Sequence, residues 1–233
     1  MSSSAASERY IIRVNKHNWN GQAADMRATL MTWDWRWETA LRYRNVEIDF
    51  RDVDFMEPWA LAMFSCFALT LKEHGAIVQI GLSPANPSNK FFEQAGLLDV
   101  LHGAALARTP PRESTGLCVL RTTRDTELFA QRAAELIRGV DEAAADRVRY
   151  CVSEFGYNAA QHSHSAVGAV AFAQRFPDRR DVQTVVCDAG RGVLESLRHH
   201  YSELTTALES LRLATLPRTS GAAQPGPYGG AEN

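Results

Sequence analysis

With 233 residues, 45% of them hydrophobic, and a formal charge of −2, the chain fits one large or two small globular domains and lacks the basic footprint of a nucleic-acid binder. No apolar run approaches the roughly 20 residues that span a bilayer, and the opening M-S-S-S-A-A-S-E-R has no apolar core of a secretion signal. Cys66, Cys118, Cys151 and Cys187 lie far apart without metal-site spacing, so free buried thiols in a reducing cytoplasm are expected.

R-Y-I-I-R-V (9–14) reads as a short strand, and A-A-D-M-R-A-T-L-M after the turn-like N-W-N-G suits a helix. Trp33, Trp35 and Trp37 recur at period two and are expected to pack into a core. N-V-E-I-D-F (45–50) alternates apolar and polar residues as a strand does. Asp54 and Pro58 announce a turn and a helix start, Pro being tolerated in the first turn. The segment Trp59 to His74 is apolar nearly all round, as in a helix buried against a sheet, with Gly75 as its cap and A-I-V-Q-I (76–80) as the next strand. P-S-N-K-F-F-E-Q-A-G-L (87–97) gives another short helix ending at Gly96. Strand–helix–strand–helix in this order predicts an α/β (α+β) fold with helices sheltering the sheet.

The strand I-D-F-R-D-V-D-F, the helix opening M-E-P-W-A-L-A, then H-G-A-I-V-Q-I and F-F-E-Q-A-G-L-L-D-V-L resemble the STAS domain of bacterial anti-sigma-factor antagonists over residues 40–102. They resemble more closely the divergent STAS-like modules that precede ATPase domains. Those antagonists carry a phosphorylatable serine in a D-S-S-G-like turn where this chain has Met56-Glu57-Pro58-Trp59. The resemblance therefore implies a docking or scaffold module in place of a phosphoswitch. Ser65, inside the helix, reads as a core residue. Pro110 and Pro111, among small and charged residues, read as an interdomain linker. The expected organisation is a STAS-like domain at 1–103, a linker at 104–115 and a second domain at 116–233.

The second half restarts with a strand at 117–121, then a helix capped by Asp125 and running to about Arg138. Asp141 caps a longer helix containing V-R-Y-C-V-S-E-F-G-Y-N-A-A-Q-H-S (148–163), in which Val148, Val152 and Phe155 can face inward. Glu154, Asn158 and His162 recur every four residues and share a stripe. That stripe is either a solvated polar face or a wall for a hydrated metal and a phosphate chain. Val167–Phe176 and Val182–Cys187 form a hairpin about the turn sequence P-D-R-R-D. The second strand runs into Asp188-Ala189-Gly190-Arg191-Gly192, whose glycines permit close approach of a flat ligand and whose Asp188 can accept from an exocyclic amine. Taken alone, this is also an ordinary Asp-Gly turn. Helices over Val193–Tyr201 and Leu204–Ala214 and an aperiodic Gly- and Pro-rich tail from Arg218 to Asn233 complete the chain.

An E-x-x-x-N-x-x-x-H helix followed by a hairpin and D-x-G-x-G is similar to the GHKL-type ATP-binding domain of histidine-kinase catalytic domains, anti-sigma serine kinases, DNA gyrase and MutL-like proteins. By that resemblance Asn158 ligands Mg²⁺, Glu154 is the general base, and Asp188 reads adenine with Gly190 and Gly192 beside it. His162 and Ser163 then lie near the phosphates in a supporting role. The expected fold is a STAS-like sheet followed by a GHKL α/β sandwich lacking its second glycine box, because no G-x-G-L follows the lid-like T-S-G-A-A-Q-P-G-P-Y-G-G. No helix with a phospho-acceptor histidine is present in the sequence pattern. The implied function is a cytoplasmic bacterial regulator that binds ATP or ADP with Mg²⁺ and acts as an anti-sigma-type serine kinase or ATPase switch. Its STAS-like half would engage a protein partner, and a homodimer is compatible with the pattern. The alternative is a non-enzymatic interaction module with a degenerate nucleotide site. A metal hydrolase using Glu154, His162 and His164 lacks a full ligand set.

Overall fold

The computed structural model describes residues 8–14, 36–107 and 110–216. The expected helix after N-W-N-G, Trp33, Trp35 and the Gly- and Pro-rich tail lie outside them. The described chain is mixed α/β with two three-stranded sheets. In the first sheet β1 (Arg9–Arg13), β2 (Asn45–Asp49) and β3 (Ile77–Gly81) run parallel in that order. In the second, β4 (Cys118–Leu120), β5 (Ala169–Phe176) and β6 (Asp181–Asp188) are antiparallel, with Val170 opposite Cys187 and Ala169 opposite Asp188.

Between the sheets lies α1 (Pro58–Glu73), which buries residues on every side because it has a sheet on each. Pro58 starts it, and at its end the amides of Gly75 and Ala76 donate to the carbonyls of Lys72 and Leu71. This 5→2 and 6→1 pair closes the helix as a Schellman motif. Val46, Ile48 and Phe50 on one side and Val119, Val170 and Phe172 on the other belong to a single apolar cluster around α1. A helix that is apolar all round belongs at such a place. Trp37, in a helical stretch over 36–40, packs edge-on to Phe67 and beside Phe64, as a core tryptophan should. Ser65 is fully buried and donates to Leu61 O, which confirms it as a core residue.

Short helices α2 (Pro87–Gln94) and α3 (Leu97–Leu101) follow β3. The segment expected as a linker then runs along the edge of β4. Ala107 N donates to Leu117 O, Val119 N donates to Ala105 O, and Thr115 N donates to Ala173 O. The start of α1 is tied to the β5–β6 turn. Glu57, only 5% exposed in its side chain, accepts from Arg179 at 2.9 and 3.4 Å, and Arg179 stacks 3.7 Å over Phe176.

On the far face of the second sheet pack α4 (Thr123–Arg138) and α5 (Glu142–His162). Ala169, Ala171 and Ala173 let both helices approach the strand closely, and Phe129 and Val152 fill the seam. Asp125 does not cap α4 as expected. Thr122 is the N-cap and Asp125 sits three residues on, accepting from the Thr122 amide and hydroxyl to close a capping box. Burial works against the Asp125 carboxylate, yet these bonds hold it below the usual carboxylate range. Asp141 does cap α5, through the Ala144 amide. The chain continues through α6 (Gly192–Arg198) and α7 (Ala207–Ala214). Cys66 and Cys118 are buried, but Cys151 is exposed on the outer side of α5, so the expectation of buried thiols fails there. No described helix is long and apolar enough to cross a membrane.

Candidate functional site

The C-terminal half of α5, the end of β6 and helices α6 and α7 enclose a cavity of about 490 Å³. Asn158, His162, Asp188 and Gly192, separated by up to 34 residues in sequence, all line it. The connection is local and specific. The carbonyl of Ser163, at the end of α5, accepts from the Arg191 amide at 2.8 Å, so the turn after β6 is stitched to the helix end. Gly190 is pressed against the same residue: a Cβ there would lie 2.0 Å from Ser163 O. Its role is therefore backbone packing that sets the distance between α5 and Asp188, in place of the expected contact with a ligand, and Gly190 is not among the lining residues. Gly192 is different. It has φ +73 with open space beyond its Cα, and it does line the cavity.

Asp188 is exposed at the cavity edge. Its Oδ1 accepts from the Gly190 amide at 2.9 Å, which fixes the carboxylate and leaves Oδ2 without a hydrogen-bond partner among the described residues. Asn158 is exposed, and its side chain hydrogen-bonds no described residue. His162 is half-buried. Burial first, then the charges of Arg191 and His164, push its imidazole below the ordinary range. Arg191 places one guanidinium nitrogen 3.5 Å from Ser196 Oγ, and its buried Nε has no hydrogen-bond partner among the described residues.

Glu154 is half-buried one turn before Asn158 but does not line the cavity. The reason is helical geometry. The face turned to the cavity carries Phe155, Asn158, Ala159 and His162, a set spaced i, i+3, i+4, i+7. Glu154 precedes that stripe by one residue, about 100° round the helix. Phe155, expected to face inward, is 64% exposed and stands at the cavity mouth instead. With Val193, 39% exposed, it supplies an apolar part of the lining. Phe155, Val186, Val193, Ser196, Leu197 and Ala214 were not legible as site residues. The i, i+3, i+4, i+7 stripe headed by Phe155 was the available signal for the first of them.

The volume and the mixed lining suit a small organic ligand with one flat apolar part and a polar end. Among the described residues no three His, Cys, Asp or Glu side chains gather to cage a metal. Mg²⁺ needs less: it keeps several waters and takes one or two protein oxygens, and the unpaired carboxamide of Asn158 fits that demand. No protein-family model, curated protein or solved structure matches this chain.

Proposed function

We propose that the chain is a nucleotide-responsive regulatory protein whose second half binds ATP or ADP in the α5–β6–α6 cavity. The observation that carries this reading is the convergence of Asn158, His162, Asp188 and Gly192 on one cavity. In this reading the free Oδ2 of Asp188 accepts from the adenine amine, and the base lies against Phe155 and Val193. The phosphates extend toward Asn158 and His162. Asn158 would hold Mg²⁺, which when bound neutralises phosphate charge. The position of Glu154 outside the lining favours binding over turnover. A serine-kinase or ATPase role requires Glu154 to be carried toward the cavity on nucleotide binding.

The STAS-like first half is the proposed docking module, and its α1 packs on the opposite face of the sheet that carries Asp188. Binding at the cavity and docking at the first half therefore use opposite faces of one sheet. The same feature favours, as a second reading, a non-enzymatic interaction module that uses nucleotide only as a ligand.

Calorimetry with adenosine and with ADP, with and without Mg²⁺, tests the proposal on wild type, Asp188→Ala and Asn158→Ala. Asp188→Ala is expected to weaken adenosine by tenfold or more, the cost of one lost charge-assisted hydrogen bond. Asn158→Ala is expected to spare adenosine and remove the gain that Mg²⁺ gives ADP. Equal adenosine affinity in wild type and Asp188→Ala would refute the adenine assignment.

A further inference from the structure

Strand β3 is the outer strand of the first sheet and pairs on one side only, with β2. Ile77 N donates to Arg44 O and Phe50 N donates to Gly81 O, so Ile77, Gln79 and Gly81 turn their backbone groups toward β2. Val78 and Ile80 turn theirs the other way, and no described residue takes up their N–H or C=O groups. β3 carries neither a charged residue nor a proline, the usual means of blunting an edge. This open edge lies in a cavity of about 650 Å³ whose two sides differ in chemistry. On the side of α1 stand Leu98 and Leu101 of α3, with Lys72 donating to the Leu101 carbonyl. On the other face stands Glu47, turned away from α1 because its neighbours Val46 and Ile48 belong to the apolar cluster there. Its carboxylate is only 4% exposed and lies beneath two cations, Arg9 at 2.5 Å and Arg51 at 2.7 Å. Arg51 also pairs with Asp49 at 2.9 Å. The two arginine side chains are 45% and 49% exposed, so solvent meets the cations and not the carboxylate below them. Arg51 reaches the edge strand itself: a Cβ on Gly81 would lie 3.1 Å from its Cζ.

We propose that the β3 edge is the docking site of the first half and takes an extended segment of a partner protein that alternates acidic and apolar residues. The segment adds to the sheet beside β3, and its backbone completes the hydrogen bonds of Val78 and Ile80. Its alternate side chains fall on opposite faces of the enlarged sheet. The carboxylates meet Arg51 and Arg9, and the apolar side chains meet Leu98 and Leu101. Charge complementarity selects this occupant. A second copy of the chain would offer its own Ile77–Gly81, which brings no carboxylate, and would set two such cationic faces side by side. The proposal rests on the reading of the first half as a docking module and makes no use of the nucleotide cavity.

The experiment uses the full chain, with hydrogen exchange read at single amides. In the free protein Val78 and Ile80 are expected to exchange rapidly, and Gln79 and Gly81, turned toward β2, slowly. Slow exchange at Val78 and Ile80 without any peptide would overturn the proposal, because the chain would then cover its own edge. A capped peptide long enough to span β3, alternating valine and glutamate, is then added. It is expected to protect Val78 and Ile80, to bind at least about tenfold more tightly than its valine–lysine counterpart, and to weaken with added salt. Methylating the backbone nitrogens of one alternate set of peptide residues is expected to abolish binding, and methylating the other set to spare it, since only one set faces β3. Equal effects of the two methylations would refute strand addition, and equal affinity for the glutamate and lysine peptides would refute the acidic occupant. These readouts need no variant. Arg51→Gln, which leaves Glu47 paired with Arg9, is expected to weaken the valine–glutamate peptide several-fold and to spare a valine–glutamine peptide. An unchanged affinity, or the same loss for both peptides, would remove Arg51 from the site. Protection of Val78 and Ile80 that grows with protein concentration alone would assign the edge to a second copy and overturn the proposal. Peptide protection elsewhere in the first half would overturn the β3 edge and leave the docking reading standing, whereas protection confined to the second half would refute both.

Discussion

Gly190 and Gly192 are the two glycines of one D-x-G-x-G segment, and the structure gives them opposite jobs. At Gly190 an added Cβ would meet Ser163 O at 2.0 Å, Ser163 C at 2.5 Å and Ser163 Cβ at 2.6 Å. Ordinary contact begins at 3.4 Å, so the turn and the end of α5 would have to part by about 1.4 Å. Two of these three atoms are backbone, and no rotamer change relieves them. Gly190→Ala is therefore expected to cost about 3 kcal/mol, the upper end of overpacking penalties. Straining the Arg191 N to Ser163 O bond of 2.8 Å contributes about 1 kcal/mol of that. In a chain of this size about 3 kcal/mol lowers the melting temperature by roughly 6–12 °C. Gly192→Ala meets no atom within 4 Å and carries only the left-handed penalty of φ +73, about 1–2 kcal/mol. Thermal unfolding by circular dichroism, with adenosine titration of each variant, separates the two. A Gly190→Ala protein that melts within about 1 °C of wild type would refute the packing argument.

Three further expectations follow from other parts of the molecule. Gly156 sits where α5 crosses α4, and a Cβ there would lie 2.4 Å from Thr126 Cγ2, so Gly156→Ala should cost about 2 kcal/mol in urea unfolding. Thr126 is fully buried with its hydroxyl unpaired among the described residues, so Thr126→Ala should be near neutral, and adding it to Gly156→Ala should restore most of the loss. Arg179→Ala strands the buried Glu57 carboxylate and should destabilise by about 2 kcal/mol, below the 3–5 typical of buried pairs because Arg179 is itself 44% exposed. The third concerns His162, whose depressed imidazole lets the unfolded chain bind the proton more readily. Its contribution to stability is present above the unfolded range near ~6.5 and is lost as pH falls through and below it. A bound phosphate opposes burial, Arg191 and His164 and favours the protonated ring. ADP affinity measured from pH 8 to pH 6 should therefore rise more steeply in wild type than in His162→Gln, and identical slopes would count against contact between His162 and phosphate.

Much of the local architecture was legible because it is written in short-range chemistry. P-D-R-R-D between two apolar runs is a turn whatever surrounds it, and β5 and β6 pair about it residue for residue. Asp141 before an alanine-rich start is a helix cap for the same reason. What was not legible is tertiary. The pattern from Trp59 to His74 states that α1 is buried all round, but nothing in it states that its second neighbour is the β5–β6 sheet more than a hundred residues away. Glu57 gave no sign of the Arg179 that neutralises it, because a partner 122 residues off leaves no spacing to read. In the site, the four-residue spacing of Glu154, Asn158 and His162 selected a real stripe but centred it one residue early. Asn158 and His162 belong to the cavity face, and Phe155 takes the place assigned to Glu154. A glycine in D-x-G-x-G is likewise ambiguous until the atom that would meet its side chain is known.

Strand β6 carries the consequence of a sheet shared between two clusters furthest. Its residues alternate between the face that meets α1, with Val185 and Cys187, and the face that meets α4 and α5, with Val186. Asp188 continues the second set, which is why it reaches the cavity beside Asn158 and His162. A slip of β6 by one residue against β5 would exchange these sets, turning Cys187 to the cavity and Asp188 into the apolar cluster around α1. An unpaired carboxylate in that cluster costs several kcal/mol, so the first half of the chain acts as a guard on the register of the second. Packing of α1 on Val170, Phe172, Val185 and Cys187 thus does more than join the halves. It holds Asp188 in the one register that places its carboxylate at the cavity edge.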